Sequence, residues 1–236
     1  MRTEVLTGVR IIAAKNLGFV PLLQAQAAGI TIEDLAELVA EEVLEDWVGK
    51  DIWLHSESDF PEFPHLIAAW VMLEPATPVE QRRSSAQWVA SHISAAQISG
   101  LVSSPDQIWH FTTPKSSAIL PKHPAYSQKI QIHREDLESS EIDREYLIPC
   151  TTPFRTFCDL ASEGDVSVRV LGDIAANLIK SDAAVWTELL SPAYDYVSKI
   201  TNVSNGRQAL VFLLENSKSS LVIPELLTED SSHDFT

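Results

Sequence analysis

Seven histidines and two cysteines are the residues of this 236-residue chain that offer the most varied chemistry. Metal sites commonly draw their ligands from motifs of fixed short spacing. Neither the histidines nor the pair Cys150 and Cys158 have such a spacing. The patterns G-x-S-x-G, H-E-x-x-H and the P-loop are also absent from the sequence. We therefore predict no catalytic site, no metal and no cofactor, and we expect a protein that is not an enzyme.

The basic residues are the second group that could define a site. The formal net charge is −16, which disfavours an anionic partner for the chain as a whole. Residues 80–134 differ, because they contain six lysines and arginines against two acidic residues. A DNA-facing patch would therefore draw its phosphate contacts from Arg82, Arg83, Lys115, Lys122, Lys129 and Arg134. The alternative is an ordinary solvated loop between two strands.

The elements of the first domain, residues 1–58, are predicted from apolar spacing and from turn residues. Thr31 is a good N-cap for the third helix, and Asp34 stands three residues later, as in a capping box. The apolar face of that helix is predicted as Ile32, Leu35, Val39 and Val43. Helices are expected at 5–14, 21–28 and 32–42, and strands at 43–47 and 52–55. Three helices and a β-ribbon predict a winged helix-turn-helix.

The solvent face of the third helix is acidic, which bears directly on what this domain binds. Glu33, Glu37 and Glu41 are spaced at i, i+4 and i+8. A recognition helix lies between two rows of phosphates, which repel carboxylates. One interpretation keeps the helix as a DNA reader, and the other makes it a surface for a basic protein. The partner-binding residues predicted on the second interpretation are Glu33, Glu37, Glu41, Glu42 and Asp46.

The remainder of the chain predicts a connector, a second domain and a tail. Residues 59–78 form a connector with a helix at 65–73, residues 79–217 the second domain, and residues 218–236 an acidic, disordered tail. Strands are expected at 107–112 and 129–133, and helices at 93–99, 153–160, 166–180, 183–196 and 206–216. The fold class is therefore α+β: a winged helix-turn-helix followed by a mixed α/β domain with a helical end.

Two segments of the second domain have residues that suit either structure or function. His92 precedes a helix of small residues, so it either fixes the start of a tightly packed helix or contributes to a binding surface. Arg155 and Asp159 are four residues apart on one helix, which favours a structural ion pair over an active-site cation. Cys158 lies in the same apolar helix, where a packing role is favoured.

Two phrases give the chain a family resemblance. Residues 88–101 read WVASHISAAQISGL and residues 148–160 read IPCTTPFRTFCDL. In this order they resemble the SH-x-SAA-x-x-x-GL and P-x-T-x-P-x-RT-x-x-DL patterns of the AbiEi family of bacterial antitoxins. The resemblance implies an antitoxin of a type IV toxin–antitoxin, or abortive infection, system, paired with a nucleotidyltransferase toxin. It also implies a DNA-binding transcriptional autorepressor, with antitoxin action mainly in the C-terminal domain.

The function expected from sequence is therefore neutralisation of a nucleotidyltransferase toxin, by direct contact or functionally, with operator DNA as a further partner. The alternative is a degenerate family member that acts as a protein-interaction module without binding DNA. No run reaches the roughly 18 apolar residues of a membrane helix, and no secretory signal is recognisable, so a cytoplasmic location is expected. Operator symmetry would favour a homodimer.

Overall fold

The computed structural model describes residues 2–85, 87–102, 108–117, 129–164 and 166–218. The chain divides into two compact units, each built from two segments. The first consists of Met1–Ala90 and Asp106–Cys150, and the second of Ser91–Pro105 and Thr151–Thr236. Helices and two sheets are both present, so the expectation of a mixed fold of helices and strands is confirmed. The predicted boundaries at residues 58 and 78 stay predictions, and residues 219–236 of the predicted tail lie outside the described residues.

The first 55 residues alternate helices with short strands. The helices are α1 (Arg2–Lys15), α2 (Leu22–Ala27) and α3 (Ile32–Ala40), and the strands are β1 (Phe19–Pro21), β2 (Leu44–Val48) and β3 (Ile52–His55). The three strands form an antiparallel sheet in the order β1-β3-β2. Apolar side chains from all three helices and from the sheet share one core, which includes Val9, Ala25, Leu35 and Trp53.

Helix α3 begins where the sequence predicts, but it buries a different stripe. The Thr31 hydroxyl accepts a hydrogen bond from the Asp34 N–H, and the Asp34 carboxylate accepts one from the Thr31 N–H. This capping box satisfies N–H groups that the first turn leaves without partners. The predicted apolar face was wrong at Ile32, which is 45 % exposed, because Leu35 and Leu38 form the buried stripe. The acidic residues of the helix consequently point to solvent.

The rest of the first unit comprises two helices and a second sheet. The helices are α4 (Pro64–Leu73) and α5 (Val79–Ser85). The strands are β4 (Val89–Ala90), β5 (Trp109–Thr113), β6 (Ile130–Arg134), β7 (Ile142–Asp143) and β8 (Cys150–Thr151), and a 3-10 turn (Ser139–Glu141) precedes β7. Their order is β6-β5-β4-β8-β7. Strand β5 is antiparallel to β4 and parallel to β6, whereas β4 and β8 are parallel.

The second unit is helical. It contains α6 (His92–Ile98), α7 (Pro153–Glu163), α8 (Val168–Ser181), α9 (Trp186–Val197) and α10 (Gly206–Glu215), with a 3-10 turn (Ala183–Val185) before α9. Helix α7 follows the predicted signals: the Thr152 hydroxyl caps it, Pro153 occupies its first turn, and Gly164 ends it with a positive φ of 77°. Its buried residues join those of the other four helices in one core.

Among the described residues, no helix combines the length and the apolar character needed to cross a lipid bilayer.

Candidate functional site

Arg82 was predicted as a phosphate contact, and the structure contradicts this. Its side chain is 2 % exposed. The guanidinium donates hydrogen bonds to the carbonyl oxygens of Trp70 and Val71 and lies 3.9 Å from the centre of the Trp70 ring. Burial lowers the pKa of Arg82 to about 10, and the nearby Glu74 carboxylate partly opposes this shift. Arg82 therefore satisfies the last turn of α4 and does not reach a ligand.

The other predicted basic residues are in different situations. Arg83 donates to the carbonyl oxygens of Arg144 and Tyr146, and Arg134 donates to that of Ser117, so both side chains are engaged by backbone. Lys115 and Lys129 are exposed. Lys122 lies outside the described residues. Of the six residues predicted to contact DNA, Lys115 and Lys129 are the two that the described structure leaves on an open surface without a hydrogen-bonded side chain.

The acidic residues of the predicted partner surface are all exposed. Glu33 and Glu37 lie on α3, Glu41 and Glu42 directly follow it, and Asp46 lies on β2. We call these five residues the acidic surface. The Asp46 carboxylate accepts a hydrogen bond from the Lys50 N–H, which closes the turn between β2 and β3. The structure thus groups carboxylates on one helix and on the strand that follows it.

An aromatic cluster lies beside this strand. Trp47, next to Asp46, contacts Phe60 and Phe19 edge to face, with ring centroids 5.6 Å and 5.9 Å apart, and contacts His65 at 4.8 Å. Phe60 is 60 % exposed. Aromatic side chains with a large exposed area are common anchors in protein interfaces. The sequence did not predict this cluster, because Phe60 falls in the connector expected at residues 59–78.

His55, at the end of β3, is a buried group whose protonation the fold opposes. Its Nδ1 accepts a hydrogen bond from the Glu57 N–H, and its buried Nε2 has no hydrogen-bond partner among the residues that the structure describes. Burial lowers the pKa of His55; Glu57 raises it in part, and Arg10 lowers it further. The neutral ring with its proton on Nε2 fits these contacts, because protonating Nδ1 would remove the acceptor that Glu57 uses.

We expect the pKa of His55 in the folded protein to lie below the ordinary value of 6.5. The unfolded chain then binds more protons, so the free energy of unfolding rises with pH. This contribution is complete above pH 6.5 and is lost as the pH falls through the folded pKa. An NMR titration of the His55 ring measures the midpoint, and a midpoint at or above 6.5 contradicts the prediction. In urea unfolding, H55Q should show a weaker pH dependence than the wild type.

His110 on β5 and His133 on β6 are brought together by the second sheet. His110 Nδ1 lies 3.0 Å from His133 Nε2, and the two rings stack with centroids 5.2 Å apart. Burial lowers the pKa of His133 to about 4; the charge of His110 lowers it further, whereas Glu135 opposes the shift. His133 is therefore neutral at pH 7. No spacing rule could reveal this pair, because 23 residues separate its members.

A small polar cavity opens where β5 and β6 end. Its volume is about 210 Å³. The residues that line it are mostly hydroxyl-bearing or charged: Ser85, Thr112, Thr113, Pro114, Glu135, Leu137, Ser139, Ile142 and Arg144. Thr112 and Thr113 are buried, and the Thr113 hydroxyl accepts a hydrogen bond from the Gln87 amide. The cavity is smaller than typical sites for drug-sized ligands, which occupy about 300–1,000 Å³.

In the second unit, His92 and the pair Arg155 and Asp159, which the sequence assigned to either structure or function, contact neighbouring side chains. His92 is 5 % exposed; its Nδ1 lies 3.0 Å from the Ser91 hydroxyl and its Nε2 lies 3.5 Å from the Glu163 carboxylate. The predicted pairing of Arg155 with Asp159 is confirmed, with Nε and Oδ1 2.6 Å apart. These contacts hold the starts of α6 and α7 in place, which favours the packing interpretation of both segments.

The cysteines also agree with packing roles. Cys150 is buried on β8, and burial raises the pKa of its thiol to about 12, with Asp143 adding to the effect. A thiol with so high a pKa remains protonated at pH 7 and is a poor nucleophile. Cys158 is partly buried on α7 and is free of any disulfide.

Comparisons with known proteins identify the fold and no more. No family model matches the chain, and no curated protein matches it. One similar solved structure is the crystal structure of the RV2827C protein from Mycobacterium tuberculosis, with a TM-score of 0.50 and 15 % sequence identity. The match covers 89 % of this chain and 81 % of that one. At this identity the likeness concerns the fold alone, and the AbiEi resemblance stays a prediction.

Proposed function

We propose that this protein is an antitoxin that binds its partner protein through a winged helix-turn-helix whose exposed helix is acidic. The winged-helix assignment is supported by the order of elements in residues 2–55: helix, strand, helix, helix and a two-stranded ribbon, α1-β1-α2-α3-β2-β3. The partner class, a nucleotidyltransferase toxin, follows from the AbiEi resemblance of residues 88–101 and 148–160.

The observation that carries this proposal is the exposure of the acidic surface. In a winged helix-turn-helix that reads DNA, α3 would lie in the major groove and would need cations beside it to hold the phosphates. Here Glu33 and Glu37 occupy that face, and Asp46 continues it onto the ribbon. A protein surface rich in lysine and arginine complements the same charges, which favours a basic protein as the ligand of this helix.

The aromatic cluster supports a protein ligand independently. Phe60 and Trp47 place apolar area beside β2, the strand on which Asp46 lies. Stable protein interfaces combine such aromatic anchors with a charged rim. The proposed interface therefore combines Phe60 and Trp47 with the acidic surface.

A matched pair of charge reversals tests the proposal. In the double variant E33K/E37K, we expect affinity for the purified nucleotidyltransferase toxin to fall at least about tenfold, because attractive pairs become repulsive. The control E80K/E145K changes the net charge equally at exposed positions away from α3 and should bind as the wild type does. Calorimetric titration measures the affinities, and circular dichroism checks that both variants fold.

Two results would reject this function. A wild-type protein that neither binds the toxin nor relieves its growth inhibition is not its antitoxin. If E33K/E37K binds and neutralises as the wild type does, the acidic surface is not the interface. The candidate interface is then in residues 79–217, the C-terminal domain to which the family resemblance assigns antitoxin action.

Operator DNA is the second candidate ligand, favoured by the winged-helix order and by the exposed side chains of Lys115 and Lys129. A gel shift with the protein's own upstream region at about 50 mM salt tests it, since phosphate contacts weaken steeply as salt rises. The absence of a shift at low salt rejects the autorepressor role. A shift that appears only with E33K/E37K would identify α3 as a DNA reader that has lost its function.

A further inference from the structure

The stacked pair His110 and His133 has the geometry of two ligands that share one ion. Both residues lie on central parts of paired parallel strands, and the pairing of Thr112 with His133 and of His110 with Gln131 fixes their register. Side chains alternate between the two faces of a strand, and paired residues of neighbouring strands share a face. His110 and His133 are therefore on the same face of the sheet, one strand apart.

The distance between the two ring nitrogens suits coordination. Zinc binds imidazole nitrogen at about 2.0–2.1 Å with tetrahedral geometry, which puts two ligand nitrogens ~3.3 Å apart. His110 Nδ1 and His133 Nε2 are 3.0 Å apart in a hydrogen bond, so one of the two nitrogens carries the shared proton. An ion would take the place of that proton, and the two nitrogens would move apart by a few tenths of an ångström. The strands hold both backbones, so little conformational freedom remains to be lost when an ion binds.

We propose that His110 and His133 are two protein ligands of a zinc site on this sheet. Zinc is the ion that imidazole pairs of this kind suit, because it accepts neutral nitrogen donors and has no redox chemistry. The two rings supply two of its four positions, and the remaining positions need donors beyond this pair.

A bound ion would link β5 to β6 and would stabilise the folded state, because only that state brings residues 110 and 133 together. Zinc binding by this pair does not require the toxin or DNA. The site is distinct from the acidic surface, which lies on other elements of the first unit.

The experiment uses the full-length protein without an affinity tag, after removal of metal by a chelator. The variants H110N and H133Q replace each imidazole with an amide whose nitrogen or oxygen occupies nearly the same position as the ligand nitrogen. H65Q is the control, because His65 is exposed on α4. Zinc affinity is measured by calorimetry, and the midpoint of thermal unfolding is measured with and without zinc.

We expect the wild type and H65Q to bind one zinc ion per chain and to unfold at a higher temperature in its presence. H110N and H133Q should each bind at least about tenfold more weakly, because even residues that only support a ligand commonly cost 10–100-fold. They should also lose the zinc-dependent rise in the unfolding temperature. A wild type without stoichiometric binding, or variants with wild-type affinity, would overturn the proposal.

A second measurement does not require the variants to fold. Zinc titrated into the wild type should shift the NMR signals of the His110 and His133 rings together, and Co²⁺ should broaden both. Shifts confined to other histidines would place the ion elsewhere and would also overturn the proposal.

Discussion

Replacement of Arg82 by methionine is expected to reduce the free energy of unfolding by about 3–5 kcal/mol. Methionine keeps the apolar contact with Trp70 but has no donor for the carbonyl oxygens of Trp70 and Val71, which Arg82 binds at 2.7 Å and 2.9 Å. A buried acceptor left without a partner costs about 1–3 kcal/mol, and the Val71 oxygen would keep only its 3.3 Å bond from the Glu74 N–H. The Glu74 carboxylate, 3.7 Å from Arg82 Nε, also loses its cation.

Urea unfolding of R82M, R82K and K115M measures this effect. R82K should lie between the wild type and R82M, because one ammonium group cannot reproduce the planar fork that contacts both carbonyls. K115M removes a positive charge from an exposed position and should change stability by less than about 0.5 kcal/mol. A loss below about 1 kcal/mol in R82M would contradict the structural role. Loss of DNA or toxin binding in R82M should be attributed to folding and not to a missing contact.

Substitution of Gly172 by alanine is expected to destabilise the second unit by about 2–3 kcal/mol. Gly172 lies on α8, and an added Cβ would clash with the Leu213 carbonyl oxygen of α10. The obstacle is backbone, so one helix must move away from the other. At an exposed helix position, replacing glycine by alanine increases the free energy of unfolding by about 1 kcal/mol. A decrease in G172A would therefore report the close approach of the two helices.

Gly8 offers a matched control for this prediction. It also lies in a helix, α1, but its added Cβ would meet only the flexible end of Ile30 at 3.1 Å. G8A should therefore be close to neutral or slightly stabilising. Thermal unfolding of both variants measures the difference, and G172A as stable as the wild type would mean that α8 and α10 do not approach so closely.

Local sequence signals were sufficient to predict helix starts and helical ion pairs, where neighbouring residues determine the conformation. Thr31 with Asp34, and Thr152 with Pro153, predicted the starts of α3 and α7, because capping groups act within a single turn. The pairing of Arg155 with Asp159 was predictable for the same reason: four residues of helix place the two side chains together.

Elements whose stability comes from distant partners were missed. Strand β1 has three residues and ends in Pro21, which an edge strand tolerates because its outer N–H groups need no partner. Helix α5 was missed because one of its two buried residues, Arg82, is charged, and hydrophobic periodicity does not count it as apolar.

The candidate site illustrates the same limit. The exposure of Glu33 and Glu37 followed from helical spacing, whereas the approach of His110 to His133 depends on the parallel pairing of β5 with β6. Neighbouring parallel strands are joined by a long crossover, so the sequence around one histidine does not indicate that the other lies beside it.

The chain passes between its two compact units three times, after Ala90, Pro105 and Cys150. Neither unit can therefore be isolated by a single truncation. A fragment that ends at residue 150 includes part of the helical unit, and a fragment that starts at residue 151 lacks α6. Either fragment divides the core of the helical unit, because Ile93 and Ala96 of α6 pack with residues of α7 to α10. Point substitutions in the intact polypeptide are the suitable way to assign activities to either half.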